Sequence, residues 1–145
     1  MADAKSQSFA NHTRLDPPFH FFLLPLGLVA IIVSVTLLIR RPGIGSVLGV
    51  ILAIGFVMIA AKARSYALKV QDRVIRLEER LRLSLLLPET LRPRIGELTE
   101  SQLIALRFAS DTELPVLAKR ALEEGLTGKQ IKTSIESWRP DYFRV

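Results

Sequence analysis

Cysteine is absent from the 145 residues, histidine occurs twice and tryptophan once. Without cysteine there is no disulfide framework, no thiolate metal site and no cysteine nucleophile. A metal centre needs convergent His, Cys or carboxylate ligands, and the only histidines, His12 and His20, both lie close to the start of the first apolar segment. No G-x-S-x-G turn and no glycine-rich phosphate loop is present. The paired acids Glu78 with Glu79 and Glu123 with Glu124 are sequence neighbours, which a helix turns to different faces. The expectation is a non-enzyme with no catalytic residue, no cofactor and no metal.

Charge is missing in a second, more informative way. Residues 19–39 form a run of 21 without Asp, Glu, Lys or Arg, and residues 44–61 a run of 18. As helices these reach about 31 Å and 27 Å, close to the thickness of a bilayer's hydrocarbon core. A cleaved signal peptide is the alternative for the first run, but its apolar region is usually only about 7–15 residues long, and no A-x-A-like site precedes Arg40. Two membrane spans are expected. Neither contains an internal acid or base other than His20 at the edge, which argues against a proton relay or an ion path.

What charge there is sits unevenly. The net +6 of the chain falls entirely within residues 40–87, while residues 1–39 and 88–145 each balance to zero. Lys and Arg are retained on the cytoplasmic side of a membrane. Bases crowd the C-terminal flank of the second run, with Lys5 and Arg14 before the first, against only Arg40 and Arg41 between the runs. Both termini are therefore expected in the cytoplasm. Lys62, Arg64 and Lys69 are candidate contacts to the membrane surface, serving either the topology signal or anionic lipid.

The fold class expected is all-α: a transmembrane helical hairpin, its second span continuing into an amphipathic helix, then a small bundle of short cytoplasmic helices. The parts are a polar leader (1–18), the hairpin (19–61), a basic juxtamembrane helix (62–87) and a C-terminal helical region (88–145). Pro42 and Gly43 mark a tight turn. Gly45, Gly49 and Ala53 recur every four residues, a small face suited to hairpin packing or to a dimer, and Gly27, Ala30 and Ser34 make a similar face on the first span. Pro25 leaves a kink open near the start of that span.

No Gly or Pro interrupts 62–87, and Ala67, Val70, Val74, Leu77 and Leu81 follow a 3-4-3-4 spacing, with Leu85 near the next position. Such a seam serves a coiled coil or packs on this chain's own C-terminal helices. Leu85, Leu86 and Leu87 demand burial, locally or at a subunit contact. Asp72 with Arg76, Glu78 with Arg82, Arg107 with Asp111 and Arg139 with Asp141 are candidate ion pairs. Beyond Pro88, Thr99-x-x-Gln102, Ser110-x-x-Glu113 and Thr127-x-x-Gln130 match the capping box and predict helices over 100–109, 111–124 and 128–138. Their expected buried residues are Leu103, Ile104, Leu106, Phe108, Ile131, Ile135 and Trp138, with Gly125 as a helix stop.

Asn11-His12-Thr13-Arg14, the helical run 70–82, Leu106-Arg107-Phe108-Ala109-Ser110-Asp111 and Trp138-Arg139-Pro140-Asp141 together resemble an uncharacterised bacterial family of two-span membrane proteins known only as a domain of unknown function. The resemblance covers almost the whole chain. It implies a bacterial membrane location and carries over no activity and no functional residues. Asn11-His12-Thr13 also matches a glycosylation sequon, which a cytoplasmic N-terminus would keep from modification.

The expected partners are the lipid bilayer and either further copies of the chain or another membrane protein. The role that fits is a membrane-anchored interaction or scaffold module acting through its cytoplasmic helices. The alternatives are an accessory subunit of a membrane enzyme or transport complex, and a membrane-bound nucleic-acid tether. The last is disfavoured because residues 88–145 carry no net charge to attract a phosphate backbone.

Overall fold

The computed structural model describes residues 8–11 and 15–141, every regular element of which is a helix. His12, Thr13 and Arg14, and with them most of the sequon, lie outside the described residues. The chain divides into two compact units at the junction of Lys69 and Val70.

In the first unit, a π-helical stretch Pro18–Leu23 leads into α1, Leu24–Arg40. Pro25, in the first turn of α1, has no amide to donate, which that position tolerates. The turn at Arg41, Pro42 and Gly43 is closed by Ser46, whose hydroxyl accepts from the Gly43 amide at 3.0 Å. Next comes α2, Ile44–Leu86, a helix of 43 residues that crosses the Lys69/Val70 junction without a break.

Within this unit α1 and the start of α2 meet through small residues. A Cβ on Gly27 would stand 2.5 Å from Val57 Cγ2, and one on Gly49 would stand 3.7 Å from Ser34 Oγ. The contacts climb α1 as they descend α2, so the two segments run antiparallel. Gly49 lies at this contact and Ala53 is buried, whereas Gly45 has open space around it.

The second unit holds the core. Leu83 from α2 and Leu87 just past its end pack with Leu98, with Leu103, Ala105 and Leu106 of α3 (Glu100–Leu106), with Leu114, Leu117, Ala118 and Ala121 of α4 (Leu114–Glu124), and with Ile131 of α5 (Gly128–Ser134). A short 3-10 helix, Arg92–Glu97, precedes α3. Two expected capping boxes are present in full: Thr99 with Gln102 starts α3, and Thr127 with Gln130 starts α5. Gly125 ends α4 in the left-handed region at φ 64°, where any other L-residue would be strained.

The third box forms only by half: the Ser110 hydroxyl accepts from the Glu113 amide at 3.4 Å, but the return bond is missing. Glu113 turns its carboxylate to the Ser137 amide at 2.8 Å instead of back to Ser110, and α4 begins at Leu114 rather than at 111. The same cause shortens its neighbours. Ala109 and Trp138 form an isolated antiparallel bridge, flanked by Ser110 N–H to Ser137 O at 3.1 Å and Arg139 N–H to Phe108 O at 2.7 Å. Backbone groups committed to that crossing cannot continue a helix, so α3 stops at Leu106 rather than 109 and α5 at Ser134 rather than 138.

Where α5 begins, it lies directly on α3: a Cβ on Gly128 would sit 2.7 Å from the Ser101 carbonyl oxygen. Backbone cannot yield as a side-chain tip can. Gly128→Ala should therefore lower the stability of this unit by about 1–3 kcal/mol, read from denaturant unfolding of the full chain in detergent by the fluorescence of the single tryptophan, Trp138. A midpoint unchanged from the parent would show that α5 shifts away freely.

Candidate interaction surface

Along the second unit's part of α2, two stripes lie on opposite sides. Ile75, Glu79 and Leu83, with Leu87 just past the helix end, recur every four residues and are all buried. Val70, Val74, Leu77, Leu81 and Leu85 are 61%, 48%, 71%, 62% and 71% exposed. The 3-4 seam is therefore turned away from the C-terminal helices, which removes packing on the chain's own helices as its use. The triple leucine divides accordingly: Leu87 enters the core and Leu85 does not. The core-facing stripe was hidden in the sequence because Glu79 interrupts it.

Glu79 is 3% exposed and forms a polar node inside that packed face. Its Oε2 lies 3.2 Å from Arg82 and its Oε1 3.7 Å from Arg139. Arg82 in turn donates to the Ala109 carbonyl at 2.7 Å and reaches Asp111 at 2.6 Å. One guanidinium thus joins α2 to the loop between α3 and α4. Loss of hydration on burial pushes the Glu79 carboxyl above its ordinary range, outweighing the opposing pull of Arg82 and then of Arg139.

The expected pairings are replaced by others, most of them between distant segments. Arg76 reaches Glu100 and touches only the backbone of Asp72. Arg82 takes Glu79 and Asp111 instead of Glu78. Arg107 lies 3.5 Å from Asp141 rather than pairing with Asp111, and Arg139 approaches Glu79 rather than Asp141. A sequence-local rule finds neighbours on one helix, whereas Glu100, Asp111, Asp141 and Arg139 are brought to their partners by the fold. Gln102 shows the same preference: beyond its capping role, its Nε2 donates to the carbonyls of Leu126 at 2.9 Å and Ala121 at 3.3 Å, closing the end of α4.

Of the candidate membrane-surface cations, Arg64 is engaged within the first unit. It pairs with Asp16 at 2.9 Å and lies 5.0 Å from the centre of the Phe19 ring. Lys62 and Lys69 flank the exposed Tyr66 ring at 5.9 Å and 6.0 Å, leaving both ammonium groups at the surface.

The apolar helices are the larger exposed surface. Helices long and apolar enough to cross a membrane cover Pro18–Arg40 and Ile44–Leu86, and only 6% of the most apolar window of each is buried within the chain. A core helix of a soluble protein would be mostly covered. Here Phe21, Phe22, Ile39, Ile44, Ile51, Leu52 and Ile59 all face outward.

The sequence matches DUF6526, a family of unknown function, over residues 1–145, and the chain belongs to that family. No curated protein and no solved structure matches it.

Proposed function

We propose that this member of the family is a membrane-anchored interaction module without chemistry of its own, resident in a bacterial cytoplasmic membrane. In this reading α1 and the apolar part of α2 form a transmembrane hairpin, and both termini lie in the cytoplasm with the C-terminal helices. The observation that carries it is the contrast between the two units. The second has an apolar core of its own, whereas the first leaves nearly all of its apolar surface uncovered. Lipid satisfies that surface at no cost in unpaired backbone groups, since helices close their hydrogen bonds internally. The orientation follows from the surplus of Lys and Arg beyond the second apolar run.

The test is carbonate extraction of native membranes followed by thiol labelling. The chain should resist extraction. A cysteine at Gly43 should label in intact cells, and one at Glu123 only after permeabilisation. Release by carbonate would sink the anchor, and the opposite labelling pattern would reverse the topology. An accessory-subunit role would appear as a single stoichiometric protein co-purifying from native membranes, without disturbing either result.

A further inference from the structure

We infer that the exposed seam of α2 closes against a second copy of this chain as a parallel two-stranded coiled coil, an inference that rests on the membrane-anchored reading. Ala67, Val74 and Leu81 occupy heptad position a, and Val70, Leu77 and Ser84 position d. At 100° per residue, the seam points away from the buried stripe of Ile75, Glu79 and Leu83, so a partner helix meets it without displacing the chain's own core. β-branched valine at a with leucine at d, as in Val74 and Leu77, is the combination that favours two strands.

The flanking charges choose both the partner and its direction. Position g carries Arg73 and Arg80, and position e carries Glu78 and Leu85. In a parallel pair, g of one heptad faces e of the next on the other helix. Arg73 then meets Glu78 of the partner subunit, and the symmetry of identical chains makes this contact twice. Arg80 lays its aliphatic stem along Leu85 of the partner subunit. An antiparallel pair sets g against g and brings arginine to arginine. None of the ion pairs found within the described residues uses Arg73, Glu78 or Arg80. Two copies with the same topology enter such a contact with equal polarity, and confinement to one bilayer raises their effective concentration. That compensates for a seam of only about two heptads, short for association free in solution.

The experiment uses the full chain in lipid vesicles. Because no native cysteine exists, Val74→Cys and Leu81→Cys each provide a single thiol, and identical a positions face one another in a parallel pair. Mild oxidation should give disulfide dimers at both, and none at the exposed α4 position Glu123→Cys. Arg73→Glu and Glu78→Arg should each shift the lipid-dilution midpoint of cross-linking about tenfold towards monomer. The double variant R73E/E78R should restore it. Protein retained in the vesicles with no dimer at Val74 or Leu81 overturns the coiled coil and leaves the anchor standing. Equal cross-linking at Glu123, or no recovery in the double variant, also overturns it. Protein lost from the vesicles overturns the anchor and the dimer together.

Discussion

Arg82→Met should destabilise the second unit by about 3–5 kcal/mol, the usual consequence of removing one member of a buried ion pair. Its side chain is 11% exposed and holds Glu79, Asp111 and the Ala109 carbonyl at once. Methionine matches much of the volume but donates nothing. Glu79 is then left with Arg139 alone, a residue 3.7 Å away whose own side chain is 54% exposed. Glu79→Gln removes the other partner yet should cost under about 1.5 kcal/mol. The amide oxygen still accepts from Arg82, and Asp111 still balances the guanidinium. Burial already works against the charged form of Glu79, so losing that charge also removes a penalty. Urea unfolding followed by Trp138 fluorescence separates the two. Equal losses would mean that Arg82 acts through Glu79 only and that its bonds to the α3–α4 loop are dispensable.

The same contrast carries a pH dependence. The Glu79 carboxyl titrates higher in the folded protein than the unfolded value of about 4.3. Between those two values the folded state binds the extra proton, so this residue's contribution falls as pH rises through the window, and it is most favourable below it. The exposed Glu97 and Glu124 behave oppositely: Arg94 and Arg120 hold them below the ordinary range, and their contribution is lost on acidification. Comparing the parent with Glu79→Gln at each pH cancels those shared terms. The parent's melting temperature should fall relative to the variant as pH climbs from about 4.3. A constant difference across that range would show that Glu79 does not titrate there.

How legible all this was in the sequence depends on the range of the forces involved. The two apolar helices, the capping boxes at Thr99 and Thr127 and the stop at Gly125 were readable because each is set by residues within a few positions of one another. The bridge between Ala109 and Trp138 was not, since it joins segments 29 positions apart that carry no strand signature. It truncates two helices and draws the Glu113 carboxylate, though not its amide, away from Ser110. The α2 seam was visible by its spacing, but which side of that helix faces the core was not. Its opposite stripe is broken by an acid, and only a tertiary partner such as Arg82 makes a buried glutamate tolerable.

Phe108→Ala should cost the second unit about 3–5 kcal/mol, the usual range for deleting a buried aromatic. Phe108 is 0% exposed, just beyond the end of α3, where the chain crosses to the Trp138 segment. Its ring centre lies 5.0 Å from that of Trp138. It also lies 4.5 Å from the Arg107 guanidinium and 5.5 Å from the Lys132 ammonium. An alanine leaves a cavity and strips two cations of an aromatic face. Phe108→Leu separates those effects, because leucine refills much of the space without supplying a ring quadrupole. The step from Leu to Ala should exceed the step from Phe to Leu, since cavity formation outweighs aromatic contacts of about 0.5–1.5 kcal/mol. Trp138 emission should shift to the red in the alanine variant, as water reaches the vacated space beside the indole. A loss below about 1 kcal/mol with unshifted emission would mean that the α3, α4 and α5 packing collapses onto the gap, and that the crossing of the two backbone segments, rather than the ring it buries, holds this end of the unit together.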